Sequence, residues 1–249
     1  MNTAQQAITP ARYTCYRAKG PIIIDGHLNE PSWRCAPWTS LFVDIEGDVR
    51  PRPWFGTRAM MLWDDEYFYV AASLEEPDVW GTLTARDSVI CLENDFEVFI
   101  DPDNDALNYM EFEMNALNTV WDLFLPKAYD KGGVADTSWD FVGIKHAVQI
   151  DGTLNCPGDV DRGWTLEIAL PWTSMAEHSK TACPPNPGDE WSVNFSRVEY
   201  RVERVGDCYK KVEEIPCENW VWSPQGAINM HIPEMWGYVQ FSELIVGSE

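Results

Sequence analysis

Apolar and polar residues alternate along this chain in short runs separated by turn signals, and no run keeps a helical period for long. Phe96, Val98 and Ile100 alternate with Glu97, and Met110, Phe112 and Met114 alternate with Glu111, Glu113 and Asn115. Side chains two residues apart on a strand share a face, so each run has one apolar and one polar side. The pattern predicts strands near Ile22 to Asp25, Thr57 to Trp63, Tyr67 to Leu74, Asp95 to Asp101, Tyr109 to Asn115 and Val120 to Leu125. Further strands are expected near Ile144 to Asp151, Trp164 to Leu170, Trp191 to Glu199, Trp220 to Trp222 and Tyr238 to Phe241. Helix is expected only as single turns, over Glu30 to Cys35 behind the cap Asn29 and over Thr173 to His178 after Pro171.

The turn Asp64-Asp65-Glu66 is short enough to make a hairpin of its flanking strands, and Asp101-Pro102-Asp103-Asn104-Asp105 joins the next pair. Pro, Gly, Asn and Asp cluster in loops over Pro126 to Ser138, Asn155 to Asp161, Ser179 to Asp189 and Ser223 to Met235. None is long or biased enough for an interdomain linker, and no internal repeat is visible. The economical reading is all-β: one β-sandwich domain of two antiparallel sheets, immunoglobulin-like or jelly-roll-like, with short helical turns and a core over about residues 21–242.

Composition narrows the partners. Forty acidic residues against eighteen basic ones give a net charge of -22, the opposite of the Lys/Arg surface that phosphate or anionic lipid requires, so neither nucleic acid nor membrane is expected as a partner. An acid excess suits hard oxygen-ligated cations such as Ca²⁺ and neutral ligands such as sugars; a merely solvated surface explains it equally well. No apolar run is long enough to span a membrane, and Met1 to Pro10 has no apolar signal core. The chain as written is expected to be soluble and cytoplasmic, or extracellular or periplasmic if a leader was removed. Seven scattered cysteines without a Cys-x-x-Cys pair read as reduced thiols, with Cys208 and Cys217 close enough for a local bridge if the protein is exported.

If the two strands carrying Glu97 and Glu111/Glu113 are antiparallel neighbours, Glu97, Glu111, Glu113 and Asn115 project from one sheet face. Like charges so placed repel, and the patch needs solvent, a cation, an arginine or a ligand with hydroxyl donors. An ordinary wet outer face is the plain alternative. Thirteen tryptophans are many for 249 residues. Most belong in the core, but Trp80, Trp220 and Trp222 lie beside loops, where flat rings can stack on the apolar faces of sugars. Asp101, Asp103 and Asp105 imitate the start of a calcium loop, although Ala106 and Phe112 break the EF-hand rule. Asp159 and Asp161, and the Asp64 to Glu66 turn, are comparable candidates. The four histidines lack metal-ligand spacing, and nucleophile motifs, phosphate loops and dinucleotide fingerprints are absent.

Three stretches together resemble the family 9 carbohydrate-binding modules: Ile24-Asp25-Gly26-His27-Leu28-Asn29-Glu30-Pro31-Ser32-Trp33, then Met61-Leu62-Trp63-Asp64-Asp65-Glu66-Tyr67-Phe68-Tyr69-Val70-Ala71-Ala72, then Asn94 to Asp101 followed by Tyr109 to Asn118. Trp220-Val221-Trp222-Ser223-Pro224 and Trp236-Gly237-Tyr238-Val239 fit the family's ending. The resemblance implies a β-sandwich, structural Ca²⁺ in some members, and non-catalytic saccharide binding in polysaccharide or oligosaccharide catabolism, with room for a catalytic glycosidase partner. It also implies that Cys91 and Met230 stand where other members clamp sugar between two tryptophans. The family's sheet-face glutamate matches Glu97, its arginine on the next strand falls at Glu113, and Asn194 and Ser196 are polar matches on a later strand.

The leading expectation is therefore a sugar-binding module with Glu97, Glu111, Glu113, Asn115, Asn194 and Ser196 as polar partners and Trp80 or Trp222 as stacking surfaces. Two other classes stay open: a glycoside-processing enzyme pairing Glu97 with Glu111 or Glu113, and a haem-binding electron-transfer domain using Met230 and His231.

Overall fold

The computed structural model describes residues 8–248. Its strands are β1 (Arg12–Arg17), β2 (Val43–Asp44), β3 (Thr57–Trp63), β4 (Tyr67–Glu75), β5 (Asp95–Asp101), β6 (Leu107–Asn115) and β7 (Val120–Lys127). They continue as β8 (Lys145–Asp151), β9 (Gly163–Pro171), β10 (Glu190–Glu199), β11 (Val202–Val205), β12 (Cys208–Lys211), β13 (Glu218–Val221) and β14 (Gly237–Ile245). Two helical turns, α1 (Pro31–Cys35) and α2 (Trp172–Met175), sit where single turns were expected. Helix α1 starts from Glu30 without a side-chain cap, so Asn29 does not have its expected role.

One continuous path runs β7-β6-β5-β10-β14-β1-β3-β4-β9-β8. It curls so that its halves face each other: Phe96, Val98, Phe112 and Phe195 from one half share a core with Met61, Val70, Leu166 and Ile168 from the other. Within each half, neighbouring strands pair antiparallel, as the hairpin turns require. Strand β1 departs from the expected all-antiparallel sandwich. It pairs parallel with β14 through Arg12 to Cys15 and parallel with β3 through Tyr16 and Arg17, passing from one layer to the other. With β1 before residue 21 and β14 running to Ile245, the sandwich also extends past both ends of the expected core.

The expected strand at Ile22 to Asp25 does not form. At its end the chain is pinned by a side chain instead. Glu167, buried on β9, accepts hydrogen bonds from Asp25 N at 3.0 Å, Gly26 N at 2.8 Å and Trp33 Nε1 at 2.7 Å. Gly26 turns with φ +86°, and a Cβ there would lie 2.7 Å from the backbone of β8, so only glycine fits. Trp33 then covers Met60, Leu62, Tyr69 and Ala169, the outward residues of β3, β4 and β9.

Arg197 on β10 ties the layers together at the other end. Its guanidinium is 1% exposed and uses all five N–H groups: on Glu199 Oε2 twice, on Glu76 Oε2, on Thr57 Oγ1 and on the Glu75 carbonyl, at 2.8 to 3.0 Å. Trp220 lies 5.1 Å beneath it. Removing one partner of such a cluster strands the others in a low-dielectric interior, at a cost of roughly 3–5 kcal/mol. Urea denaturation of Arg197→Met is expected to show a loss of about that size; a change below ~1 kcal/mol would remove the guanidinium's structural role.

Candidate functional site

The polar face of β5, β6, β7 and β10 is a regular grid. Registers place Trp121, Glu113, Glu97, Ser196 and Val221 in one row across β7, β6, β5, β10 and β13. The next row is Leu123, Glu111, Phe99 and Asn194. The expected juxtaposition of Glu97, Glu111 and Glu113 is therefore present, as antiparallel pairing of β5 and β6 dictates. The face is not a wet exterior, however. The turn Ile90–Leu92, Tyr129, Tyr200, Cys217 and the segment Asn229 to His231 close over it and leave a cavity of about 490 Å³. Glu97, Glu111 and Glu113 are 5%, 5% and 2% exposed.

Burial sets their chemistry. Taking a carboxylate out of water disfavours its charged form. Burial pushes Glu97 up to about 7, an effect the neighbouring Ser196 hydroxyl opposes. Glu111 and Glu113 are pushed well above the ordinary range by burial and then by repulsion from their acidic neighbours. Asp95, behind them on β5, behaves likewise, with Glu97 as its strongest repelling neighbour. Glu113 accepts a 2.9 Å hydrogen bond from Cys91 N, whereas Glu111 Oε2, Asp95 Oδ2 and Ser196 Oγ are buried without a partner. Burial holds the His231 imidazole down to about 4, so it is neutral near pH 7. Its Nδ1 meets the Tyr109 hydroxyl at 2.9 Å and its ring packs against Tyr129 and Phe99.

Other expected site residues lie elsewhere. Asn115 is fully buried: its Nδ2 donates to the Leu83 carbonyl and its Oδ1 accepts from Leu117 N and Thr119 N, so it organises the turn into β7. Asn194 is spent in the same way on Ser223 N, Ser223 O and Phe195 N. Ser196 lies on the correct face beside Glu97 but beneath the surface, 0% exposed. Trp222 is a core residue, packed on Tyr13 and Phe195 and over Gly237, where a Cβ would come within 2.5 Å of its ring. It offers no stacking surface. Trp80 is 4% exposed and borders a different cavity, with Thr82, Glu93 and the β11–β12 ribbon.

The cavity brings in residues that periodicity alone passed over. Trp121 shares a face with Glu113, a position legible from the alternation in Val120 to Leu125. Tyr129 and Tyr200 come from loops, where no local pattern announces them. Cys91 and Met230, the positions matched to the family's paired tryptophans, both line the cavity, as does His231.

The aspartates expected to hold calcium fall into three places, and in one of them, the Asp64 to Glu66 turn, Asp64 accepts from Glu66 N, Tyr67 N and the Tyr69 hydroxyl. Asp101, Asp103 and Asp105 come together, each offering an oxygen within 4.8 Å of the others. Their partners are internal: Asp101 accepts from Asp103 N and Ala106 N, Asp103 accepts from Lys180 N, and the Lys180 ammonium bonds Asp105. Asp159 and Asp161 serve another loop, accepting from Thr153 and, for Asp161, also from Val79 N. All seven cysteines are unpaired. No helix among the described residues is long and apolar enough to cross a membrane.

A curled β-sandwich with a covered, acid-floored cavity on one sheet face is the class these features define. The sequence model for the carbohydrate family 9 binding domain-like family matches residues 24–188, and the chain belongs to that family. The chain is 30% identical over 118 residues to exoglucanase XynX of Acetivibrio thermocellus and 29% identical over 122 residues to endo-1,4-beta-xylanase A of Thermoanaerobacterium saccharolyticum. The matched segments are 47% and 49% of this chain, and they span about 9% of the length of each of those relatives. A family 9 carbohydrate-binding module of Caldicellulosiruptor kristjanssonii, solved with cellotriose, superposes with a TM-score of 0.56 at 13% identity, covering 93% of this chain and 94% of that one. A Bacteroides uniformis protein superposes with a TM-score of 0.66 at 17% identity, covering 94% and 100%. These structural likenesses establish the fold.

The raised Glu97 has a consequence for stability. Between about pH 4.5 and 7 the folded protein holds a proton on Glu97 that the unfolded chain has released, so stability contributed by neutral Glu97 falls as pH rises across that window. The loss amounts to roughly 3 kcal/mol at full development. Thermal unfolding of Glu97→Gln should change less between about pH 5 and pH 7 than that of the unaltered protein. Equal pH slopes for the two would show that Glu97 is charged in the folded state throughout.

Proposed function

We propose that this protein binds a saccharide in the cavity over β5, β6 and β7 and does not cleave it. The observation that carries the reading is the pairing of flat aromatic side chains, Trp121 and Tyr129, with the carboxylates of Glu97, Glu111 and Glu113 in one cavity. A sugar presents apolar C–H faces and a rim of hydroxyl donors, and this lining offers rings for the one and acceptors for the other. Membership of the family and the cellotriose held by the superposed module support the same conclusion.

The arrangement of the acids supports binding over catalysis. A glycosidase places its two carboxyl groups on either side of the scissile bond. Glu97 and Glu113 instead stand side by side in one row of a sheet, with Asp95 close behind and oxygens of the three within 4.8 Å of one another. They meet a ligand from the same side. Association with a catalytic glycosidase is consistent with the xylanase and exoglucanase relatives and belongs to this proposal.

Calorimetric titration with mono- and oligosaccharides, run beside an assay for released reducing sugar, tests the reading. Saturable binding without turnover is expected, weakened ~10-fold or more by Trp121→Ala. Turnover, or no binding at millimolar sugar, would overturn it. A calcium ion at Asp101, Asp103 and Asp105 is part of the same proposal as a structural ligand competing with Lys180. Ca²⁺ at ~1 mM should raise the Tm, and Lys180→Ala should enlarge the rise. An unmoved Tm in both proteins removes calcium from the account.

A further inference from the structure

Two groups of buried acids on the cavity-bearing layer and its neighbour are treated differently. Glu76 and Glu199 are met by Arg197, which spends its whole guanidinium on them and their surroundings. Glu97, Glu111 and Glu113 have no such partner. Among the described residues, neither lysine nor arginine lines their cavity, and its single histidine is neutral. Glu111 lines this space at 5% exposure with its buried Oε2 lacking a hydrogen-bond partner, and next to Glu97 on the same strand face Asp95 Oδ2 is buried without one. Buried acceptors without donors are costly, and three adjacent acids with no counter-charge avoid a larger cost only by keeping protons that a cation could replace.

A neutral sugar would answer only part of this deficit. Its hydroxyls donate one hydrogen each and bring no charge, whereas a protonated primary amine brings three N–H donors and a full positive charge at one point. The cavity's rings suit that group too, because Trp121 stands beside Glu113 on the neighbouring strand and Tyr129 and Phe99 border the same space. A volume of about 490 Å³ is larger than a lone ion needs and lies within the range of small-ligand sites. The net charge of -22 draws cations toward the molecule as a whole.

We propose that the saccharide class this cavity takes is a cationic amino sugar, a free-amine hexosamine or its oligomer, with the ammonium seated among Glu97, Glu111 and Glu113 and the pyranose ring against Trp121. This rests on the saccharide-binding reading given above and specifies its ligand.

The experiment is a calorimetric comparison of the glucosamine tetramer, the N-acetylglucosamine tetramer and cellotetraose, at low salt and a pH of about 6, below the ~7.7–8 of an amine whose basicity is lowered by neighbouring electron-withdrawing groups, as in an α-amino group. The free-amine oligomer should bind ~30-fold or more tightly than either neutral one, and its affinity should fall as salt rises. Glu111→Gln and Glu113→Gln should each weaken it ~10-fold and flatten its salt dependence. Both substitutions keep the side-chain shape and replace a buried ionisable group by a neutral amide, so folding should survive, and the wild-type panel decides the matter without them. If cellotetraose binds as tightly as the amine, the charge requirement fails and the general saccharide reading stands. If no oligosaccharide binds, both fail together. If Mg²⁺, Mn²⁺ or Zn²⁺ raises the Tm of the wild type but not of Glu113→Gln, while the amine does neither, the acids hold an inorganic ion and the proposal is overturned.

Discussion

The buried guanidinium of Arg197 is the interaction on which the arrangement of the sandwich depends. It reaches from β10 in one layer to Thr57 and Glu75 in the other, and it fixes how the two halves of the curled sheet approach at that end. Because every N–H is used, it holds one geometry, not a family of them. Strand β10 is at the same time the central member of the layer that carries the cavity, pairing β5 along one edge and β13 and β14 along the other. The floor of the site is therefore referenced to the opposite layer through this side chain as well as through the ladder from β10 by β14 and β1 to β3, and the carboxylates on β5 and β6 inherit that rigidity.

The cavity combines two kinds of construction. Its floor is made of strand residues whose spacing is set by backbone ladders, so Glu97, Glu113 and Trp121 cannot move apart without breaking the sheet. Its cover is made of loops and single turns, anchored by a few bonds such as the 2.8 Å donation from Trp236 Nε1 to the Met230 carbonyl. Charge is thus held on the rigid part and shape is set by the adaptable part. Sites in which the polar constellation is fixed and the cover varies can change ligand preference by changing loops, and here Cys91 and Met230 are among the covering residues.

Much of this was legible in the residues, and the limits have physical causes. The period of two in the runs around Glu97 and Glu111 placed three carboxylates on one face correctly, because a hairpin turn and antiparallel pairing leave few other registers. The same parity placed Asn115 there too, and the family resemblance added Asn194. Parity states which way a side chain leaves the strand but not what it meets, and both amides meet backbone groups of neighbouring turns. Trp222 looked like a loop-side platform because its neighbours are turn formers, yet the chain there returns under β10 and buries the ring. Tyr129 and Tyr200 arrive from distant loops, which no local pattern can disclose. The β11–β12 ribbon, by contrast, carried a readable signal in Gly206-Asp207, a two-residue hairpin loop with glycine at positive φ. Strand β1 has inward Tyr13 and Cys15 alternating with Arg12 and Thr14, but its parallel pairing is a property of long-range topology.

That topology bears on how the chain acquires its structure. Strand β1 is the seam between the layers, and its longest ladder is with residues more than two hundred positions later, Arg12 opposite Tyr238 and Cys15 opposite Phe241. Closing so distant a contact is entropically expensive and late. The hairpins of β3 with β4 and β5 with β6 can form as they are synthesised, but the curled sheet cannot be completed until β14 is available. During synthesis the molecule therefore passes through a period in which both apolar inner faces exist and are not yet sealed, a window in which chaperone binding or aggregation competes with folding.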